Sequence, residues 1–146
     1  MSHNQGIAQF AYGVIESLDS EDTEDVNDYI ERLLFIFPES LLLAALDMID
    51  RENIIKFTTP WGYSQYQAFG STATYNVFPR VTSGSRKTEP YCTCPSFAFS
   101  VMLSKSEYMC KHILAVMISS KLSKCPERSL GPNDLAKIVV MQCSNV

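Results

Sequence analysis

Four residues in the C-terminal half carry side chains suited to hold a metal ion. Tyr91-Cys92-Thr93-Cys94-Pro95 is followed by Cys110-Lys111-His112, which reads C-x-C-x15-C-x-H. Zinc takes four soft or borderline donors in a tetrahedron, with sulfur at roughly 2.3 Å and imidazole nitrogen at roughly 2.0–2.1 Å. Each x-spaced pair can face one ion if the backbone turns between its two members, and the two pairs then supply all four corners. No position is left for water, so the expected cofactor is one structural Zn2+, held by Cys92, Cys94, Cys110 and His112, with no catalytic residue.

Other chemistry suits these residues less well. A Cys92–Cys94 disulfide would close a tight, strained ring and would need an oxidising compartment. A Cys–His nucleophilic pair needs a third group to orient it, and none is suggested. His112 becomes a ligand candidate only because Cys110 lies two residues before it. Cys125 and Cys143 have no partner at metal spacing and read as small buried hydrophobes or idle thiols. The chain starts without the basic and then apolar stretch of a secretory signal, so the thiols are expected to stay reduced. No apolar run reaches membrane-span length; the longest near-candidate is Ser40–Ile49.

The elements that must position these ligands follow from periodicity. Ile7, Phe10, Ala11, Val14 and Leu18 recur at helical spacing and predict a helix over 6–18. Val26, Tyr29, Ile30, Leu33, Leu34 and Phe37 continue the period up to Pro38, which ends or turns that helix. The helix Glu39–Asp50 is apolar nearly all round. Such a helix is either central in a core or pressed between the core and another protein. Beta-branched and aromatic residues then predict strands at Ile54–Thr59, Tyr63–Phe69 and Thr74–Phe78, with Pro60-Trp61-Gly62 as a turn. Residues 79–90 read as a mildly basic loop. Helices are expected from Pro95, over Cys110–Lys121, and after Gly131-Pro132. Cys92 and Cys94 thus fall where a strand gives way to a helix, and Cys110 and His112 where a loop enters one.

The fold class is therefore α+β. It has N-terminal helices, a small antiparallel β-sheet, a zinc-pinned ββα-like unit and C-terminal helices. Three regions are expected to fold as one domain: 1–52 acidic and helical, 53–122 sheet plus zinc unit, and 123–146 the last helix. The charge is uneven. Residues 1–52 hold twelve acids and two arginines, a net of −10, whereas residues 53–146 hold ten bases and four acids, a net of +6. That asymmetry reads either as an acidic arm beside a nucleic-acid-facing half or as solvated faces. Arg86, Lys87, Lys105 and Lys111 are the candidate phosphate contacts, with only modest, salt-dependent affinity. The low charged fraction, 19%, points to apolar surface covered by a partner. Leu42 and Leu46 are the candidate partner contacts on the third helix.

The ligand pattern resembles the SWIM-type zinc finger, at all four ligands. Its flanks, Cys92-Thr93-Cys94-Pro95-Ser96-Phe97-Ala98-Phe99-Ser100-Val101 and Cys110-Lys111-His112-Ile113-Leu114-Ala115, resemble those of the small SWIM-domain subunits of Shu complexes. The resemblance covers roughly residues 41–118. It implies a nuclear, non-enzymatic subunit that pairs with a recombinase paralogue. The pair would promote assembly of the strand-exchange recombinase on single-stranded DNA in homologous recombination and repair. The sequence agrees in lacking a phosphate-binding loop: Gly84-Ser85-Arg86-Lys87-Thr88 has no Gly-Lys pair, so nucleotide use would belong to the partner. The alternative is a SWIM module that binds nucleic acid directly. SWIM fingers also occur in ubiquitin-ligase accessories, but nothing here resembles a catalytic domain to accompany one.

Overall fold

A computed structural model describes residues 3–17 and 26–144. Leu18 and the acidic run Asp19, Glu21, Asp22, Glu24 and Asp25 lie outside the described residues.

Helix α1 spans His3–Glu16 and buries Ala11, Tyr12 and Ile15, one stripe at helical spacing. Helix α2, Val26–Leu34, buries Tyr29 and Leu33 in the same way. It stops earlier than its apolar period suggests, because Pro38 disfavours helical geometry in the residue before it. Residues 35–37 form a turn instead, with Ile36 N–H donating to the Leu33 carbonyl at 3.0 Å. Pro38 then caps α3, Glu39–Asp50, and its carbonyl accepts from the Leu41 and Leu42 N–H groups. Helix α3 ends through the left-handed residue Glu52 (φ 55°), and the Asn53 N–H returns to the Met48 carbonyl.

Strands β1 (Ile54–Thr58), β2 (Ser64–Phe69) and β3 (Thr74–Phe78) form an antiparallel meander. The first turn closes on Gly62 at φ 89°, and the Thr59 hydroxyl accepts from Tyr63 N–H at 3.0 Å. Residues 79–90 are not a plain loop. Strands β4 (Thr82–Ser83) and β5 (Arg86–Lys87) make a small hairpin of their own. Gly84 sits at its turn with φ 61°, the left-handed geometry that primed hairpin turns require. Strand β6, Tyr91–Cys92, pairs with β3, and β7, Glu127–Ser129, runs parallel to β1. The main sheet is therefore mixed rather than purely antiparallel, in the order β6-β3-β2-β1-β7.

Alternation sorts the two faces of the sheet. Ile54 opposes Ala68 and Val77 opposes Cys92; all four share one face and are buried, so this face receives the helices. Helix α4, Lys111–Lys121, packs against α3 and under β1 and β3. Every residue from His112 to Ser119 is buried. The segment Phe97–Leu103 is a π-helix rather than the expected α-helix: Ser104 N–H donates to the Phe99 carbonyl, five residues back. Helix α5, Pro132–Ser144, lies over the opposite face of the sheet. Its Ile138 and Met141 look across a groove of about 820 Å³ toward Gln67, Phe69, Asn76 and Tyr91.

Candidate metal centre

Three elements deliver the four ligands. Cys92 ends β6, and its register partner Val77 turns it toward the core. Thr93 then holds the knuckle between the cysteines. Its hydroxyl accepts from Asn76 N–H at 3.0 Å, and its own N–H donates to the Asn76 carbonyl at 3.1 Å. Cys94 faces inward, and its sulfur accepts from Phe97 N–H at 3.3 Å, which starts the π-helix. Cys110 occupies the N-cap of α4 with extended backbone, so His112 falls in the first turn beside it. Cys92, Cys94, Cys110 and His112 are all buried, and their donor atoms lie within 4.8 Å of one another.

His112 presents Nδ1 to the cluster, 3.8 Å from Cys92 Sγ. The edge of a tetrahedral zinc site with these donors is roughly 3.6–3.8 Å. The Tyr75 ring packs against the imidazole at 5.0 Å between centroids and fixes its plane. Tyr91 meets Phe97 edge-on at 5.4 Å, and this closes the outer side of the knuckle.

Charge makes the same demand as geometry. Cys92 is pushed far above the ordinary thiol range by hydrogen bonds with Cys110 and Cys94, and then by burial. Cys94 is pulled far below it by hydrogen bonds from Cys110 and Cys92, with His112 adding to the effect. Cys110 is drawn down by Cys92, but Cys94 and burial outweigh this and leave it at about 12. Three buried sulfurs this close repel one another as thiolates. A divalent cation is what allows all three to ionise together. Donor type, spacing and burial fit one structural zinc ion, which ties strand β6 to the N-terminus of α4.

Arg80, read from the sequence only as one more basic residue, pairs with Tyr12 of α1. The Arg80 guanidinium lies 4.7 Å above the Tyr12 ring, a cation–π contact between the strand-to-knuckle segment and α1. Lys121, at the other end of α4, donates to the Glu16 carbonyl at the end of α1. Thr93 and Tyr75 did leave a weak signal: a β-branched hydroxyl between the cysteines, and an aromatic on the core-facing register of β3.

The remaining expected sites scatter. Arg86 and Lys87 are exposed on the β4–β5 hairpin, Lys105 is exposed after the π-helix, and Lys111 is exposed at the start of α4. They sit on three separate elements. Leu42 requires a correction as a partner contact. It is 1% exposed and packs in this chain's own core, so a partner cannot reach it. Leu46 is half-buried against the same core, and the outward leucine of α3 is Leu43. An apolar helix carries no phase mark that separates positions 42 and 43. Cys125 is half-buried, its thiol pushed up by burial, and Cys143 is exposed.

A family model for the SWIM zinc finger matches residues 75–121. Zinc finger SWIM domain-containing protein 7 of Homo sapiens is 34% identical over 117 residues, covering 80% of this chain and 77% of that protein. The protein of the same name from Mus musculus is 31% identical over 135 residues, covering 87% and 83%. The Danio rerio protein of that name is 28% identical over 123 residues, covering 84% and 82%. No solved structure matches.

Proposed function

The chain belongs to the zinc finger SWIM domain-containing protein 7 family, and on that premise we propose that it is a non-catalytic scaffold subunit of a Shu-type complex. In this reading it pairs with a recombinase paralogue in the nucleus. The pair promotes assembly of the strand-exchange recombinase on single-stranded DNA during homologous recombination and repair.

The observation that carries the reading is the reach of the similarity. It covers 80% of the chain, well beyond the finger at 75–121, so the shared pattern extends past the metal centre. The metal centre supports a structural role. Its four protein donors fill a zinc coordination sphere, and among the described residues no second cluster of His, Cys, Asp or Glu accompanies it.

The test is to purify the full-length protein from its own cells under gentle conditions. Its stoichiometric partner is identified, and zinc is measured by elemental analysis. One zinc per chain and a partner of recombinase fold are expected. A chain that purifies alone, or a partner of another class, overturns the reading.

Direct nucleic-acid binding is the second reading. Arg86 and Lys87, adjacent and exposed on a hairpin, favour it. A salt titration of single-stranded DNA binding, with and without partner, separates the two. Tight binding by the chain alone would put this reading first.

A further inference from the structure

The end of α2, the turn after it and the first turns of α3 form a corner with more apolar surface than its own core uses. Phe35 is 93% exposed, the largest exposure among the large hydrophobics of the described residues, and it sits in the turn. Leu34 precedes it at 43%, and Leu43 stands one turn into α3 at 57%. Behind them Leu33, Phe37 and Leu42 are fully committed to the core, so the corner is anchored while its outward side chains are not. A phenylalanine held in water by a tight turn between two packed helices is the kind of rigid aromatic that dominates binding energy at interfaces.

The charge around this corner selects what can cover it. Residues 26–52 carry six acids and two arginines, a net of −4. Both arginines are already paired with the acid four residues before them, Arg32 with Asp28 at 2.8 Å and Arg51 with Asp47 at 3.0 Å. Among the described residues, Glu31 and Glu39 flank the corner with no basic partner. Phosphate would be repelled here, so nucleic acid is excluded as the occupant. A second copy of the same face would bring like charges together and is excluded on the same ground.

We infer that the α2–α3 corner is the docking surface for the recombinase paralogue, with Phe35 as anchor and Leu34 and Leu43 as its apolar surround. The paralogue presents an apolar pocket rimmed by lysine or arginine. This rests on the proposed function, and it moves the contact from the buried Leu42 to the exposed side of the same helix pair.

The experiment co-expresses the full-length chain with the co-purifying paralogue and compares three versions: wild type, Phe35→Ala with Leu43→Ala, and Glu31→Lys with Glu39→Lys. The side chains changed are exposed, so zinc content and helical circular dichroism should stay at wild-type levels in all three. The double alanine variant should lose about 30-fold in paralogue affinity, the scale of a lost hot spot. The double lysine variant should bind more slowly, with its salt dependence reduced or reversed. If wild type and the alanine variant retain the paralogue equally, the face is wrong and the functional reading stands. If wild type retains no paralogue, both fail together. If the isolated chain sediments as a dimer that the alanine variant dissolves, the face is a self-association surface and the inference falls.

Discussion

Helices α3 and α4 lie against each other and are both rich in apolar residues, yet they are held in different ways. Helix α4 is buried from His112 to Ser119, and its first turn carries half of the metal centre. Its position is fixed by bonds to an ion as well as by packing. Helix α3 is held by packing alone, through Leu42, Ala45, Met48 and Ile49, and it leaves Leu43 in solvent. Apolar content alone does not reveal what a helix is for. The first helix has used all its sides. The second keeps one in reserve.

The largest test of that contrast removes a metal ligand. Cys94→Ser or His112→Ala should abolish stoichiometric zinc by elemental analysis. Zinc binding at structural sites is worth roughly 10–16 kcal/mol. Losing it should therefore release α4 and the knuckle, seen as loss of hydrogen-exchange protection from Cys92 to Lys121. Full protection of α4 without zinc would break the comparison.

The next test sets neighbours on α3 against each other. Leu42→Ala should cost about 2–5 kcal/mol in chemical denaturation, because it opens a cavity against α4. Leu43→Ala should change stability by less than about 0.5 kcal/mol, as surface substitutions do. Equal costs would mean that α3 is committed on both sides.

Acid should act on one helix and spare the other. Cys92 and Cys110 sit above the usual thiol range, so zinc must displace their protons to bind. Lower pH therefore weakens zinc, by up to about tenfold per pH unit for each proton released. A competition titration against a chromogenic chelator at several pH values reads this directly. Protection of α3 should fall only after zinc has left.

The smallest test concerns the helix ends. Helix α4 closes through Ser123 at φ 53°, a left-handed conformation that disfavours any residue with a Cβ, while Lys124 N–H returns to the Ser119 carbonyl. Ser123→Gly should raise the thermal midpoint, by an amount worth about 0.5–1 kcal/mol once the backbone entropy of glycine is set against the relieved strain. No gain would show that the metal, rather than the helix end, sets the stability of α4.

The metal centre was legible in the sequence because ligand chemistry is local. Two x-spaced pairs carry their own argument, and their placement at element ends follows from Pro95 and the periodicity after Cys110. The three N-terminal helices and the meander were legible for the same reason. What escaped depends on distant contacts. Glu127-Arg128-Ser129 has no strand pattern and is a strand only because β1 offers it an edge. The π-helix escaped because Phe97–Leu103 has ordinary helix composition. Its widened turn follows from the first N–H being taken by Cys94 sulfur. The Arg80–Tyr12 contact joins residues whose proximity only the tertiary fold creates.

The parallel seam between β1 and β7 also has a consequence for the order of events during synthesis. Strand β1 finds β2 almost at once, but its outer rim, along Lys56–Thr58, waits for Glu127–Ser129. Until Glu127–Ser129 has left the ribosome, that rim is an open template for wrong partners. Lys56 stands on it, and a charge on an edge strand discourages such pairing. When the last strand arrives, the Lys56 ammonium comes to rest 3.6 Å from the Glu127 carboxylate, so the residue that guards the rim while it is bare becomes part of the latch that closes it.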